Sequence, residues 1–304
     1  MIKIFGHKAP DTDATGSAII WSWFLGTKDV EATPYVLGTP NTEAAFVLKR
    51  WGYETPAILD DVDADDMVVI VDTNNPAELP EHINDATVIE IIDHHMLVGG
   101  LKTKQPINIT IEPVASTATV MANMMGEDLA TAPDAIKGLI LSCVLSDTLE
   151  FRSPTTTDVD VALASFLADE LGLDVTEYAG EMFAAKSDVS HFSDAELLRM
   201  DSKEYAVDGV KLRISVLETT SPETVLSRKD SLIETMATVA TEDSVDQVLL
   251  FVVDILNEQA TLLIPNDTVK QIAQKSFDVI VSGDAIVLPG IVSRKKQIIP
   301  NLVV

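Results

Sequence analysis

Ala86-Thr-Val-Ile-Glu-Ile-Ile92 leads directly into Asp93-His94-His95, so a strand-forming run ends on one carboxylate and two imidazoles. A second run, Met67-Val-Val-Ile-Val71, is apolar throughout and is followed by Asp72. Short runs rich in Val and Ile are typical of strands in a parallel sheet that is covered on both faces. Ligands of such sheets bind at the carboxyl ends of the strands. The two segments therefore predict an α/β fold with a polar site at one edge of the sheet.

Strand patterns alternate with helix patterns through the first half of the chain. The predicted strands cover residues 2–5, 35–37, 67–71, 87–92 and 107–111. The predicted helices cover residues 17–25, 42–51, 117–125, 135–145, 158–171 and 175–185. This order predicts a mainly parallel sheet with helices packed on its faces.

The helical periodicity lapses around residues 186–193, and Ser193-Asp-Ala-Glu196 then has the capping-box pattern that opens a helix. Beyond it, two hairpins are predicted from the turn residues between strand patterns, together with two helices. The hairpins pair 204–207 with 211–217 and 247–256 with 260–264, and the helices cover 222–239 and 268–274. We therefore predict a larger domain at 1–187, a linker at 188–192 and a smaller α+β domain at 193–304.

Composition limits the class of protein. At 304 residues and 46% hydrophobic content, the chain can build two cores without disulfides, and its one cysteine, Cys143, is expected to be a buried thiol. No apolar run is long enough for a signal peptide or a membrane span, which predicts a cytoplasmic protein with no membrane partner. The net charge of −27 argues against a nucleic-acid partner and mostly reflects a solvated acidic surface.

The histidines are few and are placed at strand ends. Of the five in the chain, His7, His94 and His95 all follow strand patterns. An acid and two adjacent imidazoles behind a buried strand would be costly to leave without partners, which favours a functional site. His7 begins a polar turn that also holds Asp11 and Asp13, although either aspartate could simply cap the next helix.

Two more carboxylates follow apolar runs. Asp72 could be a ligand or could start an Asx turn, and Asp147 ends the apolar stretch 138–145. Imidazole nitrogens combined with carboxylate oxygens suit Mn²⁺, Co²⁺ or Mg²⁺, and a carboxylate shared by two ions gives a site for phosphoryl transfer.

Near the end of the chain, Ser293-Arg-Lys-Lys-Gln297 suits phosphate oxygens, although it could instead be a solubilising basic segment. Lys203 is a further candidate.

Taken together, these motifs resemble the manganese-dependent, family II inorganic pyrophosphatases of the DHH phosphoesterase superfamily. The resemblance runs from end to end, in the family's order and at about its spacing. Its motifs are Gly6-His-Lys-Ala-Pro-Asp-Thr-Asp13, Val71-Asp-Thr-Asn-Asn75, Asp93-His-His95, Ser146-Asp-Thr148, Phe151-Arg-Ser-Pro-Thr155, Asp201-Ser-Lys203 and Ser293-Arg-Lys-Lys-Gln297.

The resemblance implies a role for each matching residue. One metal ion would be bound by His7, Asp11 and Asp72, and the other by Asp13, Asp72, His94 and Asp147. The substrate-binding residues would be His95, Lys203, Arg294 and Lys295. Asp93 would orient a neighbouring histidine, and the residues closest to the reaction would be Asp72, His95 and Asp13.

The resemblance also implies the reaction and its components. Two Mn²⁺ or Co²⁺ ions would share a bridging hydroxide that attacks pyrophosphate, and pyrophosphate would arrive with Mg²⁺. The active site would lie in the cleft between the two domains, and the protein would form a homodimer.

Other activities share these metal motifs. An exopolyphosphatase and a DHH phosphoesterase acting on short oligonucleotides or cyclic dinucleotides are the nearest alternatives. Nucleotide-cleaving relatives typically carry a GGGH motif in the second domain, and the sequence has none. A metal-dependent binding protein without turnover is a third alternative, which the complete set of expected ligands disfavours.

Overall fold

The computed structural model describes residues 1–304 and divides into two compact units, Met1–Lys186 and Ser187–Val304. The first unit is a parallel sheet with helices, and the second is a mixed sheet with helices. The predicted fold class is therefore confirmed. No helix in the chain is both long enough and apolar enough to cross a membrane.

The first unit contains six strands and six α-helices. Strands and helices alternate up to residue 58, three strands then follow one another, and four α-helices complete the unit. The strands are β1 Ile2–Phe5, β2 Ala32–Val36, β3 Ala57–Ile58, β4 Met67–Val71, β5 Thr87–Asp93 and β6 Asn108–Ile111. The helices are α1 Thr12–Thr27, α2 Thr42–Trp51, α3 Thr117–Met125, α4 Asp134–Thr148, α5 Asp158–Leu171 and α6 Val175–Lys186. All strand pairs are parallel, in the order β3-β2-β1-β4-β5-β6.

The core of this unit explains why strand β4 is an unbroken apolar run. In β4, Val68, Val69, Ile70 and Val71 are fully buried, because the strand lies at the centre of a sheet covered on both faces. Helix α1 packs closely on α4, and a Cβ atom added at Gly16 would clash with the Sγ atom of Cys143. Only glycine allows that approach, and the expected buried, unpaired thiol is confirmed.

Parallel strands bring their carboxyl ends to one edge of the sheet. The segments that follow β1, β4 and β5 therefore meet there, and each carries polar residues of the predicted site. Helix α1 begins at the same edge with Asp11 as its N-cap, and helix α3 begins with Ser116 as its N-cap.

The second unit contains five strands and four helices. The strands are β7 Ser202–Val207, β8 Val210–Thr219, β9 Gln247–Asp254, β10 Gln259–Leu263 and β11 Ala285–Pro289. The helices are α7 Asp194–Met200, α8 Glu223–Leu226, α9 Lys229–Glu242 and α10 Asp267–Phe277. The order is β11-β10-β9-β8-β7, with β8 and β9 parallel and the other pairs antiparallel.

Both predicted hairpins and the Ser193 capping box are present. The single helix predicted over 222–239 was wrong, because the chain forms two helices that are interrupted near Arg228. The Arg228 guanidinium donates to the carbonyl oxygens of Val189 and Phe192 at 3.1 and 2.8 Å and pairs with Asp194. These contacts accompany the non-helical backbone at Arg228.

Candidate metal centre

Asp72 lies at the middle of the polar edge, and it is 2% exposed. Its backbone has a left-handed φ of 57°, a conformation that is uncommon for a non-glycine residue. The two carboxylate oxygens face different histidines: Oδ2 is 3.4 Å from His7 Nε2, and Oδ1 is 3.4 Å from His94 Nε2. One carboxylate therefore has geometry suited to contacting two cations.

Three overlapping groups of side chains surround Asp72. Within each group, the candidate ligand atoms all lie within 4.8 Å of one another. The groups are His7, Asp11 and Asp72; Asp13, His94 and Asp147; and Asp72, His94 and His95. Every predicted metal ligand of the sequence therefore belongs to one of these groups.

Asp11 both caps helix α1 and faces the metal-ligand candidates, which the sequence analysis treated as alternatives. Its Oδ1 accepts a hydrogen bond from the Ala14 backbone N–H at 2.9 Å, which caps α1. Its Oδ2 lies 3.5 Å from His7 Nε2 and so faces the polar cluster. Capping and a place in the cluster are compatible because a carboxylate has two oxygens.

Asp13 is fully buried, and its environment is built by the start of α3. Its oxygens accept hydrogen bonds from Ser17 Oγ at 3.1 Å, from Ser116 Oγ at 3.1 Å and from the backbone N–H groups of Thr117 and Ala118 at 2.6 and 3.2 Å. The N-terminus of a helix favours a negative charge. Four hydrogen bonds therefore orient the Asp13 side chain toward the start of α3.

The carboxylates and imidazoles perturb one another strongly. Burial lowers the pKa of His7, but the carboxylates of Asp11 and Asp72 outweigh it and raise this pKa to about 10. Burial also lowers the pKa of His94, but Asp72 and Asp13 outweigh it and raise this pKa to about 9. Burial and repulsion by Asp72 raise the pKa of Asp13 to about 6.

The remaining carboxylates complete this picture. Burial would raise the pKa of Asp72, but the hydrogen bonds to His7 and His94 lower it below its ordinary value. Burial and repulsion by Asp13 and Asp72 raise the pKa of Asp147 well above its ordinary value. A positive charge placed between these crowded carboxylates would stabilise their ionised forms.

The donor set fits divalent cations. It combines carboxylate oxygens with imidazole nitrogens and contains no thiolate, which is the chemistry preferred by Mn²⁺ and similar ions. In particular, the shared Asp72 carboxylate suits a pair of neighbouring ions.

Asp93 is fully buried and organises the turn that holds both histidines. Its Oδ1 accepts from the backbone N–H groups of His94 and His95 at 2.8 and 3.1 Å and lies 2.8 Å from His95 Nδ1. Its Oδ2 accepts from Asn74 Nδ2 at 2.6 Å. His95 is half-exposed, and its Nδ1 is engaged by Asp93, so Nε2 is the ring nitrogen left for a ligand.

Several residues of the centre were not assigned a role from the sequence. Thr117 donates its hydroxyl to Asp72 Oδ1 at 3.0 Å, and Asn74 connects Asp93 to the backbone of residues 96 and 98. The predicted helix start at 117 was the only signal for Thr117. Asn74 lay within a quoted motif, but nothing in the sequence gave its partners.

The cationic residues lie in the second unit. Lys203 on β7 and Arg294 and Lys295 on a π-helical turn line a cavity of about 500 Å³, together with Tyr205. The Arg294 guanidinium donates to the backbone and side-chain oxygens of Asp201, both at 2.7 Å. Two of its five N–H donors are thereby used to fix its direction.

Gln297 holds the loop that precedes this turn. Its Oε1 accepts from the backbone N–H groups of Val292 and Ser293 at 2.9 and 3.0 Å, and its Nε2 donates to the Gly290 carbonyl at 2.6 Å. The side chain that the sequence left without a secure role therefore stabilises the backbone beside Arg294.

Comparison with known families agrees with this architecture. Residues 1–147 match the DHH family, N-terminal domain, and residues 180–303 match the DHHA2 domain. The fold and the site thus define a protein with a DHH domain followed by a DHHA2 domain.

Relatives narrow the class further. A protein of Deinococcus radiodurans named "Probable manganese-dependent inorganic pyrophosphatase" is 40% identical over 308 residues, covering 99% of this chain and 98% of the relative. The "Manganese-dependent inorganic pyrophosphatase" of Bacillus subtilis is 36% identical, covering 99% and 97%. The chain therefore belongs to the family of manganese-dependent inorganic pyrophosphatases, and the resemblance drawn from the motifs is confirmed.

One solved structure agrees with this assignment, and a second shares the fold. A crystal structure from Methanococcus jannaschii assigned to the family II inorganic pyrophosphatases has a TM-score of 0.62 and 31% identity, with coverage of 99% and 98%. An exopolyphosphatase-related protein from Bacteroides fragilis has a TM-score of 0.52 at 15% identity, with coverage of 98% and 89%, and shares the fold.

Proposed function

We propose that the protein hydrolyses inorganic pyrophosphate to two orthophosphates and depends on Mn²⁺ for this activity. The observation that carries the proposal is the Asp72 carboxylate, whose two oxygens each lie 3.4 Å from a different histidine at the centre of a buried acidic cluster. Relatives that share up to 40% of the sequence over nearly their whole length are named as manganese-dependent inorganic pyrophosphatases. A phosphoanhydride carries the negative charge that such a cation site would attract.

We assign the ligands of two ions, Mn²⁺ or Co²⁺, from the observed groups. One set is His7, Asp11 and Asp72. The other joins Asp72, whose Oδ1 lies 3.4 Å from His94 Nε2, to the group of Asp13, His94 and Asp147. When bound, divalent ions lower the pKa of coordinated water and neutralise charge on phosphate oxygens. Mg²⁺ would enter with the substrate.

The protein's own groups then bind and polarise the substrate. His95, oriented by Asp93 through Nδ1, would in its protonated form donate from Nε2 to a phosphate oxygen, and the hydrogen bond to Asp93 favours that form by raising the pKa of His95. Lys203, Arg294 and Lys295 would bind the phosphoryl groups and stabilise the charge that develops as the bridging P–O bond breaks. Asp72 and Asp13 would act nearest the reaction by holding the metals.

The same proposal extends to the organisation of the chain. Residues 1–187 would form the metal-binding catalytic domain, 188–192 the linker and 193–304 the substrate-binding domain. A homodimer located in the cytoplasm would be the working form.

A direct assay tests the function. The protein is freed of metal, supplied with Mn²⁺, Co²⁺, Mg²⁺ or Zn²⁺, and given pyrophosphate, long-chain polyphosphate or a bis-phenyl phosphodiester. We expect pyrophosphate to be the preferred substrate and Mn²⁺ or Co²⁺ the best activator. Faster release of phosphate from polyphosphate, or cleavage of the diester alone, would contradict the proposal.

A pair of histidine variants makes the assay specific to the centre. His94→Ala should abolish the activity, because it removes a predicted ligand beside Asp72 and Asp147. His82→Ala is the matched control, since His82 also pairs with an aspartate, Asp61, but belongs to none of the candidate metal groups. Equal activity in the two variants would argue against the assigned site.

A further inference from the structure

Glu43 is a fully buried carboxylate that the proposed mechanism does not use. It lies in the first turn of α2, outside every candidate metal group. Its Oε1 is buried and has no hydrogen-bond partner. Burying an unpaired polar oxygen destabilises the folded state. A buried polar group of this kind needs an explanation.

The other oxygen of Glu43 explains why it is there. Oε2 accepts hydrogen bonds from Thr12 Oγ1 at 3.0 Å and from Ser146 Oγ at 2.7 Å, and it lies 3.2 Å from Lys186 Nζ. These donors come from the starts or ends of three different helices, α1, α4 and α6. The lysine charge offsets that of the buried carboxylate.

Both hydroxyl donors adjoin metal-ligand candidates. Thr12 stands between Asp11 and Asp13, and Ser146 immediately precedes Asp147. A single oxygen of Glu43 therefore ties together the two segments that supply carboxylates to the group of Asp13, His94 and Asp147.

Those two segments must hold two carboxylates close together in a buried setting. The candidate ligand atoms of Asp13, His94 and Asp147 lie within 4.8 Å of one another, so a cation can bind both carboxylates only while that spacing is kept. The packing of Gly16 on Cys143 and the hydrogen bond from Cys143 Sγ to the Thr12 carbonyl at 3.3 Å also bring α1 and α4 together, but Cys143 lies four residues from Asp147. The contacts of Glu43 act one residue away from each ligand.

We infer that Glu43 is a positioning residue of the metal centre, which acts through Thr12 and Ser146 to hold Asp13 and Asp147 at the spacing that a divalent cation requires. The inference rests on the proposed function, because it assumes that these carboxylates bind a metal. Residues that orient metal ligands typically contribute about 10- to 100-fold in metal affinity.

Two variants of the full chain separate positioning from charge. Glu43→Leu removes the acceptor, whereas Glu43→Gln keeps an oxygen that can accept from both hydroxyls and removes the charge. We expect Glu43→Leu to weaken Mn²⁺ binding about tenfold or more at the group of Asp13, His94 and Asp147. Glu43→Gln should retain most of the wild-type affinity. Isothermal titration calorimetry of metal-free protein with Mn²⁺ measures both.

The matched control is Lys137→Met, which breaks a second ion pair of the same unit, between a buried lysine and a half-exposed glutamate. Lys137 Nζ lies 3.1 Å from Glu170 Oε2 and is ten residues from Asp147 along α4, about 15 Å. This variant should lower the thermal stability of the metal-free protein without changing its Mn²⁺ affinity. The comparison distinguishes loss of stability from loss of positioning.

Each outcome has a clear meaning. Weakened Mn²⁺ binding in Glu43→Leu, with rescue by Glu43→Gln, supports the inference. If Glu43→Leu does not fold, Ser146→Ala takes its place, since it removes one of the two hydroxyl links with a small change in volume. Unchanged Mn²⁺ affinity in the tested variant, with normal binding in the wild type, overturns the inference alone. A wild-type protein that binds no Mn²⁺ overturns the proposed function and the inference together.

Discussion

Replacing Thr117 with valine tests whether the hydrogen bonds behind the ligands matter for metal binding. Thr117 is fully buried, and its hydroxyl donates to Asp72 Oδ1 at 3.0 Å, on the oxygen that faces His94. Valine has nearly the same shape as threonine, so the change removes one donor and leaves no large cavity. The Asp72 carboxylate would lose one of the contacts that orient it, and would keep those to His7 and His94.

The expected magnitude follows from the nature of this hydrogen bond. A hydrogen bond to a charged group contributes about 1.5–3 kcal/mol, which sets the upper limit of the effect. The Mn²⁺ affinity depends only on that part of the hydrogen-bond free energy that orients the Asp72 carboxylate before the metal binds. We therefore expect Mn²⁺ to bind roughly 10- to 100-fold more weakly.

The assay is calorimetric titration of metal-free protein with Mn²⁺, alongside a control on the same helix. Thr119 is also fully buried and donates its hydroxyl to a carboxylate, that of Asp160, at 2.7 Å. Thr119→Val should reduce stability and leave the Mn²⁺ affinity unchanged, because Asp160 belongs to none of the metal groups. Equal Mn²⁺ affinities for Thr117→Val and wild type would refute the reasoning.

Three further predictions concern the second unit. Lys295→Ala should keep the metals and lower kcat/KM for pyrophosphate by roughly 10- to 100-fold, since it removes a charge-assisted contact; an unchanged kcat/KM would count against the role of Lys295. Gln297→Leu removes three hydrogen bonds from the loop beside the cationic turn and should raise KM roughly tenfold with Mn²⁺ binding intact, whereas a normal KM would show that the loop holds without it. The side chains of Arg199 and Arg213 pair with Asp243, and hydrogen bonding to Arg199 lowers the pKa of Asp243. Because the folded pKa is lowered, the Asp243 carboxylate stabilises the fold at pH values above its unfolded pKa of about 3.9. That contribution is lost as the pH falls through the folded pKa. Urea unfolding should therefore show Asp243→Asn to be less stable than wild type at neutral pH, with the difference shrinking in acid; a difference that grew in acid would reverse the assigned sign.

Local signals predicted the helices that have strong caps. The predicted bounds of α2, α3 and α5 agree with the structure, because Asn41, Ser116 and Thr157 cap their N-termini. Helix α1 was predicted to begin at residue 17, but it begins at Thr12, since its cap lies in the polar turn rather than at the start of the apolar run. Strand β3 was missed because its two residues are exposed and carry no burial pattern.

The part of the candidate site that could be predicted consists of residues whose position at a strand end indicates a ligand. Carboxylates and imidazoles at strand ends can be read from the sequence, because parallel strands gather their carboxyl ends at one edge. The partners that orient them cannot, since they are joined only by the tertiary fold. Glu43 lies 103 residues from Ser146, and Thr117 lies 45 residues from Asp72.

The number of Mn²⁺ ions bound by wild type and by Asp72→Asn tests the central claim most directly. The substitution keeps the size of the side chain but removes the charge shared between the His7 and His94 sides of the cluster. Calorimetric titration of the metal-free proteins should find two tight sites per chain in the wild type and should not find both in the variant, which should also fail to hydrolyse pyrophosphate. Two tight Mn²⁺ sites in Asp72→Asn would contradict the account.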